Sequence, residues 1–277
     1  MTGGQPTRRV EANGLSFHVT DSGEGPAVVL LHGFPDTADL WRDQIAPLVD
    51  AGFRCIAPDM RGRGRTGRPD AVADYALRNM VADVAGIMDA LGVNRAHVVG
   101  HDWGAAVAWL FASAFPDRTD TLTAISVGFP GAGGPPDLEG LQKGWYRILF
   151  QFDGIAEEAL RRNDWRLFRE LFRSASRVDE YVTTLSVPDA LTAGLNWYRA
   201  NLPPESFTRD PRQLPPVQAP TLGVWSTGDD YLTENRMIAS SEHVTGPWRY
   251  ERVEGASHWI PIDEPDRLNR LILEHIT

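Results

Sequence analysis

The chain predicts an α/β fold with a mostly parallel sheet, interrupted by a helical insertion. Three observations predict it. Short apolar, β-branched runs alternate with helix-like patterns up to about residue 128. Between 129 and 216 that alternation stops and only helical segments appear. It resumes at Thr221 and runs to a closing helix over Pro265–His275.

The elements follow in order. Arg8–Ala12 and Leu15–Thr20 alternate with period two around Asn13-Gly14, a hairpin signal. Pro26–Leu31 is continuously apolar, as a strand buried on both faces should be. It runs into His32-Gly33-Phe34-Pro35, and a helix carrying Ile45 and Leu48 follows. Phe53–Pro58 reads as the next strand. The motif after it, Gly62-Arg63-Gly64-Arg65-Thr66-Gly67, fits a dinucleotide fingerprint in letters only. Arg68-Pro69-Asp70 stands where the helix should open, so a turn-rich loop is expected. Leu77–Leu91 has helical spacing and stops at Gly92. Ala96–Val99 is a buried strand, Ala105–Ala112 a helix, and Thr119–Val127 another strand. In the interrupting block, helices are expected around Trp145–Phe150, Ile155–Asn163, Trp165–Ser174 and Asp189–Tyr198. Gly131–Pro136 and a proline-rich stretch from Pro203 to Pro216 bound it. Thr221–Ser226 and Trp248–Val253 are the last strands. The expected organisation is core 1–128, helical cap 129–216 and core 217–277.

Composition narrows the functional class. The net charge of −10 on 277 residues disfavours nucleic acid and anionic membranes as partners. The one cysteine, Cys55, lies in an apolar run, so a buried inert thiol is expected and neither an intrachain disulfide nor a cysteine metal cluster can form. No apolar stretch approaches ~18 residues and no leader pattern is visible, so a cytoplasmic protein is expected. Arg162, Arg166, Arg169, Arg173 and Arg177 recur at helical spacing. A solvated face is expected of them, with an anion site as the lesser alternative.

The chemistry gathers around Gly100-His101-Asp102-Trp103-Gly104. Strand, Gly-x-nucleophile-x-Gly and helix make a nucleophile elbow, here holding a carboxylate where serine is usual. A helix-capping aspartate is the bland alternative. A carboxylate nucleophile needs a base for its second step, an acid to orient that base, and donors for an oxyanion. Of seven histidines, His258 lies in a loop after the last strand. His18 and His97 fall within strands, and His101 should face away from the nucleophile. The orienting acid comes from Thr227-Gly228-Asp229-Asp230, with Asp229 favoured and Asp230 the fallback. The order Asp102, Asp229, His258 matches the nucleophile–acid–histidine order of the α/β-hydrolase fold. Backbone N–H groups of Phe34 and Trp103 can converge on one oxygen, and such donors contribute ~3–4 kcal/mol.

These residues resemble the α/β-hydrolase superfamily and, within it, the epoxide hydrolases, over essentially the whole chain. Trp145-Tyr146-Arg147-Ile148-Leu149-Phe150-Gln151, followed by Gly154-Ile155-Ala156-Glu157, resembles the family's first cap-tyrosine segment. Asn196-Trp197-Tyr198-Arg199 resembles the second. The resemblance implies hydrolysis of an apolar epoxide to a vicinal diol through an ester on Asp102, with no cofactor or metal. Tyr146 and Tyr198 would donate to the ring oxygen. Phe34, Trp103, Trp145, Phe150, Trp197 and Trp259 are expected around an apolar pocket, with small-molecule epoxide and water as partners and a homodimer open. The rival within the superfamily is a haloalkane or haloacetate dehalogenase. Against it, Phe34 has no side-chain donor, and Trp103 stands where haloacetate enzymes carry arginine. A serine esterase lacks its Gly-x-Ser-x-Gly motif. A non-catalytic binding protein on the same fold remains the rival of another class.

Overall fold

The structure is a computed structural model describing residues 6–208 and 213–277. The start of the chain and the middle of the Pro203–Pro216 stretch lie outside the described residues.

The chain opens with β1 (Thr7–Ala12) and β2 (Leu15–Ser22), joined by Asn13 and Gly14 at φ 45° and 76°. Positive φ at both central residues matches the twist of antiparallel strands, which is why Asn-Gly marks the turn. Next come β3 (Ala27–Leu31), a 3-10 turn over Ala38–Trp41, α1 (Arg42–Asp50), β4 (Arg54–Pro58) and α2 (Leu77–Ala90). Then follow β5 (Ala96–His101), α3 (Trp103–Ala114) and β6 (Thr119–Ile125).

Between β6 and β7 the ordered elements are helical: α4 (Leu138–Lys143), α5 (Tyr146–Leu149), α6 (Ile155–Leu171), α7 (Val178–Leu185) and α8 (Ala190–Asn201). α6 breaks at Arg162–Trp165, where the backbone leaves helical geometry, so the two helices expected here meet end to end. α7 has no counterpart in the expectation. The chain returns through β7 (Thr221–Gly228), α9 (Glu234–Ala239), β8 (Trp248–Ser257), α10 (Ile260–Asp263) and α11 (Pro265–Ile276).

The eight strands form one sheet in the order β1-β2-β4-β3-β5-β6-β7-β8. Only the β1–β2 and β2–β4 pairs are antiparallel; β4–β3, β3–β5, β5–β6, β6–β7 and β7–β8 are parallel. Every residue of β3 and β5 is buried, as a doubly covered sheet requires. The strand order reverses between β3 and β5, so a crevice opens at their carboxyl ends, where open α/β sheets bind ligands.

The helical block is tied to the sheet layer from several sides. Arg177 pairs with Asp43 at 3.0 Å and Arg42 with Glu180 at 2.8 Å. The Trp197 indole donates to the Arg61 carbonyl at 3.0 Å. The arginine row is thus not uniform. Arg166 and Arg173 are solvated, as expected, whereas Arg177 is largely covered and serves as a tie. In the Gly62–Gly67 turn, Arg63 is fully buried and donates to the carbonyls of Pro35 and Asp36, bracing the loop after β3. Cys55 is buried, and burial pushes its thiol up to about 12.

Candidate active site

Asp102 sits between β5 and α3 at φ 54°, ψ −123°, a conformation side-chain-bearing residues rarely adopt. The flanking glycines are required by close approach. A Cβ on Gly100 would strike the Gly104 carbonyl, and one on Gly104 the Leu31 carbonyl. The turn lifts the carboxylate above the sheet edge. There Oδ1 accepts the Phe34 N–H at 2.9 Å and the Trp103 N–H adds a second backbone donor to the carboxylate.

Oδ2 faces the other way, 3.6 Å from Nε2 of His258. His258 follows β8 and gives Nδ1 to Asp229 Oδ2 at 2.8 Å. Asp229 follows β7, just past an irregular step in its pairing with β8, and Oδ1 accepts the N–H groups of Tyr231 (2.8 Å) and Leu232 (2.9 Å). Its carboxylate is fully buried. That of Asp230 points outward, 46% exposed and 4.0 Å from Arg173. The structure therefore brings Asp102, Asp229 and His258 together and leaves Asp230 out.

The charges are strongly coupled. Burial opposes a charged His258, but Asp229 and Asp102 more than compensate and hold its pKa well above that of a free imidazole. Burial likewise pushes Asp102 up; His258 and the Trp103 N–H reverse this and hold it below the usual carboxylate value. The resting arrangement is an imidazolium between two carboxylates.

Tyr146 and Tyr198 come from separate helices, α5 and α8, and meet with ring centroids 5.9 Å apart. The Tyr198 ring lies edge-on to Trp103 at 5.1 Å and to Phe34 at 5.7 Å. Burial raises both phenols, with the Asp102 charge adding to it, so both keep their protons. Phe34, Phe150 and Phe172 pack edge to face around the same space. A cavity of about 1000 Å³ runs between the helical block and α2 and α3, lined among others by Leu110, Phe115, Leu202 and Leu214. It reaches Arg147 and Tyr231, and the Tyr231 ring packs on His258 at 5.2 Å. Asp102 itself does not line it.

The expected pocket tryptophans need correction. Trp145 points outward and is 48% exposed. It caps the short helix that Tyr146 opens, about 100° of turn from the buried face, and so stays outside. Trp197 is fully buried and Trp259 nearly so, and neither lines the cavity; nor do the equally expected Phe34, Trp103 and Phe150. Trp197 packs on His32 and behind Trp103, while Trp259 donates to Asp36 at 3.1 Å and supports His258.

The sequence reading missed Asp36, Tyr231 and Lys143, and the structural role of His101. His101 turns from Asp102 as expected, but its Nε2–H holds the His258 carbonyl at 2.9 Å; burial pushes its pKa down to about 4, keeping it neutral. Asp36 accepts Tyr181 (2.7 Å) and Trp259, joining α7 to the loop after β3. Tyr231 spends its hydroxyl on the Leu171 carbonyl at 2.8 Å. Lys143, the chain's only lysine, donates to the carbonyls of Asp229 (2.6 Å) and Leu232 (3.2 Å), docking α4 on the turn that carries Asp229. The lysine count was the one available signal for it.

An elbow, a histidine–carboxylate pair and paired backbone donors at the carboxyl edge of such a sheet define an α/β hydrolase. The chain belongs to that family: residues 26–265 match the alpha/beta hydrolase fold family. Among its relatives, epoxide hydrolase A of Mycobacterium tuberculosis (strain H37Rv) is 33% identical, covering 99% of this chain and 98% of that protein. The AB hydrolase superfamily protein YfhM of Bacillus subtilis is 35% identical, covering 96% of each. The crystal structure of epoxide hydrolase A from Mycobacterium thermoresistibile superposes with a TM-score of 0.82 at 29% identity, covering 98% of both chains.

Proposed function

We propose that the protein hydrolyses apolar epoxides to vicinal diols in two steps, with Asp102 as nucleophile. The observation that carries this reading is the pair of buried tyrosines beside a carboxylate that accepts the Phe34 N–H at one oxygen and faces His258 with the other. The full-length epoxide hydrolase relatives support it.

In the first step Asp102 Oδ2 attacks an epoxide carbon, forming a C–O ester bond as the ring C–O bond breaks. The electron pair goes to the ring oxygen, where Tyr146 and Tyr198 stabilise the alkoxide through their O–H groups. In the second step water attacks the carbonyl carbon of the Asp102 ester. Oδ1, already against the Phe34 N–H, becomes the oxyanion, with the Trp103 N–H as the second backbone donor to the group. Collapse breaks the bond from that carbon to the alkyl oxygen, releases the diol and restores Asp102.

The switch of His258 from acid to base follows from its surroundings. In the resting site two carboxylates hold it protonated. Ester formation removes the Asp102 charge, so the imidazolium becomes more acidic at the moment a base is required. The proton it sheds equals the one the alkoxide takes up, and the sum is epoxide plus water to diol. Asp229 keeps Nδ1 as the donor, leaving Nε2 free to take the water proton. The helical block acts as a cap that supplies both tyrosines and, with Phe34, Phe150 and Phe172, an apolar enclosure favouring aromatic or alkyl epoxides.

Single turnover in heavy-oxygen water tests the scheme with styrene oxide as substrate. The label is expected in the Asp102 carboxylate, read by peptide mass spectrometry, with unlabelled diol. Label in the first-turnover diol would eliminate the ester intermediate.

A further inference from the structure

The cavity between the helical block and α2 and α3 is charged against the rest of the chain. Arg78, Arg147 and Arg236 line it and no described aspartate or glutamate does, in a protein of net charge −10. Half-buried guanidinium groups elsewhere meet carboxylates: Arg54 meets Asp21 at 2.8 Å, Arg177 meets Asp43 at 3.0 Å and Arg199 meets Glu157 at 2.9 Å. Arg147 and Arg236, also half-buried, pair with none among the described residues. Arg236 donates to the Gly134 carbonyl at 3.0 Å, and Arg147 hydrogen-bonds to the Tyr146 side chain. Asp137, whose charge reaches Arg236, accepts the Gly140 N–H at one oxygen (2.8 Å) and the Asn235 amide at the other (3.3 Å). Burial and the charge of Arg147 together hold Arg236 below the usual guanidinium value. Two like charges in one wall, with no acid among them, cost free energy that a bound anion offsets.

We propose that this cavity binds an amphipathic carboxylate, its charge shared by Arg147 and Arg236 and its hydrocarbon part lying along Leu110, Phe115, Leu202 and Leu214. Guanidinium forks match the geometry of a carboxylate, and the low dielectric of a half-closed space strengthens the contact. A bare inorganic anion fits less well, because it leaves the apolar walls uncovered. A neutral hydrocarbon fits less well too, because it leaves both guanidinium groups desolvated and unpaired.

The site adjoins the chemistry without containing it. Asp102 does not line the cavity, but Arg147 holds Tyr146 and the Tyr231 ring packs on His258 at 5.2 Å. Two sources supply the same ligand chemistry: a carboxylate carried by the epoxide substrate itself, or a separate acid. Only the first source rests on the proposed reaction.

Titration calorimetry with octanoate, octan-1-ol and acetate tests the site on the parent chain and on Arg236→Gln and Arg236→Lys, each checked for folding by circular dichroism. Octanoate should bind the parent at least tenfold tighter than either the alcohol or acetate. Arg236→Gln should weaken it by about 10- to 100-fold, the loss of one charge-assisted hydrogen bond, and Arg236→Lys by less. If Arg236→Gln does not fold, Arg147→Gln reads the same contact. No octanoate binding by the parent at about 1 mM overturns the proposal. So does equal affinity for octan-1-ol, or a folded glutamine variant that binds octanoate as the parent does. Kinetics then separate the sources. If the substrate carries the charge, styrene oxide bearing a para-carboxylate should exceed styrene oxide in kcat/KM at least tenfold, and Arg236→Gln should erase that preference. If a separate acid is the ligand, the preference is absent and octanoate inhibits styrene oxide turnover. A parent that turns over no epoxide refutes the proposed reaction and leaves the calorimetric result standing.

Discussion

Replacing Asp229 by Asn separates the two chemical steps. The substitution preserves volume, and the amide oxygen can still accept the Tyr231 and Leu232 N–H groups that Oδ1 accepts now. What changes is the contact to His258 Nδ1 at 2.8 Å. An amide NH₂ there turns Nδ1 into an acceptor, moves the ring proton to Nε2, and so removes the lone pair that should take a proton from water. The charge is lost as well. Unit charges about 4 Å apart interact by ~4 kcal/mol at an effective dielectric constant of about 20, roughly a thousandfold in the protonation of His258. Attack by Asp102 needs neither effect. Alkylation should stay within about tenfold of the parent, while ester hydrolysis should fall by ~10³–10⁴, the loss seen when a triad histidine is held in the wrong tautomer. Stopped-flow tryptophan fluorescence, with Trp103 beside the nucleophile, should show one fast enzyme-equivalent burst and almost no turnover. Intact-protein mass spectrometry should find the chain heavier by one substrate. Steady-state turnover within tenfold of the parent, with no heavier species, would refute the tautomer argument and return Asp230 to consideration.

Other outcomes follow from the same geometry. Tyr146→Phe and Tyr198→Phe should each slow alkylation by about 10- to 100-fold, and the double variant more than either, because each removes one donor to the alkoxide; pre-steady-state kinetics at saturating styrene oxide measures this. His258 is raised from 6.5 to about 10 on folding, so its ion pairs stabilise the fold fully below about pH 6.5, and that stability is lost as pH rises through 10. Tm of the parent should therefore fall between pH 7 and 10.5, and His258→Gln should flatten that part of the profile. Asp102 is lowered, so turnover should persist as pH falls below the usual carboxylate value and fail only beneath it, as initial rates would record. Lys143→Met removes the ammonium from the Asp229 and Leu232 carbonyls and should slow ester hydrolysis more than alkylation, with a smaller loss for Lys143→Arg. Equal slowing of both steps would reduce the lysine to a packing role.

Much of the fold was legible because its signals are local. Asn13-Gly14 could only turn, the fully apolar β3 and β5 could only be interior strands, and the change in pattern after residue 128 marked the helical block. The α6 kink was visible as a gap in periodicity at Asp164, where α-helical geometry fails. α7 was missed although its Tyr181 and Leu185 are buried; it is two turns long, too short for periodicity to stand out. β8 was read short because its last four residues, 254–257, carry no strand pattern, and only Ser257 at their end pairs with β7, at Gly228.

The site divides along the same line. By itself the sequence determined the elbow, the order Asp102–Asp229–His258, the two backbone donors and the tyrosine segments, since each depends on residue types at fixed spacing along a strand end or helix. The tertiary structure turns Asp229, already favoured over its neighbour, onto His258 and leaves Asp230 beside Arg173. It also put Trp145 outside and sealed Trp197 and Trp259 away from the cavity. It gave His101 and Lys143 backbone carbonyls 157 and 86 residues away along the chain. Local chemistry is written in neighbouring residues, whereas the facing of a side chain depends on what the rest of the fold packs against it.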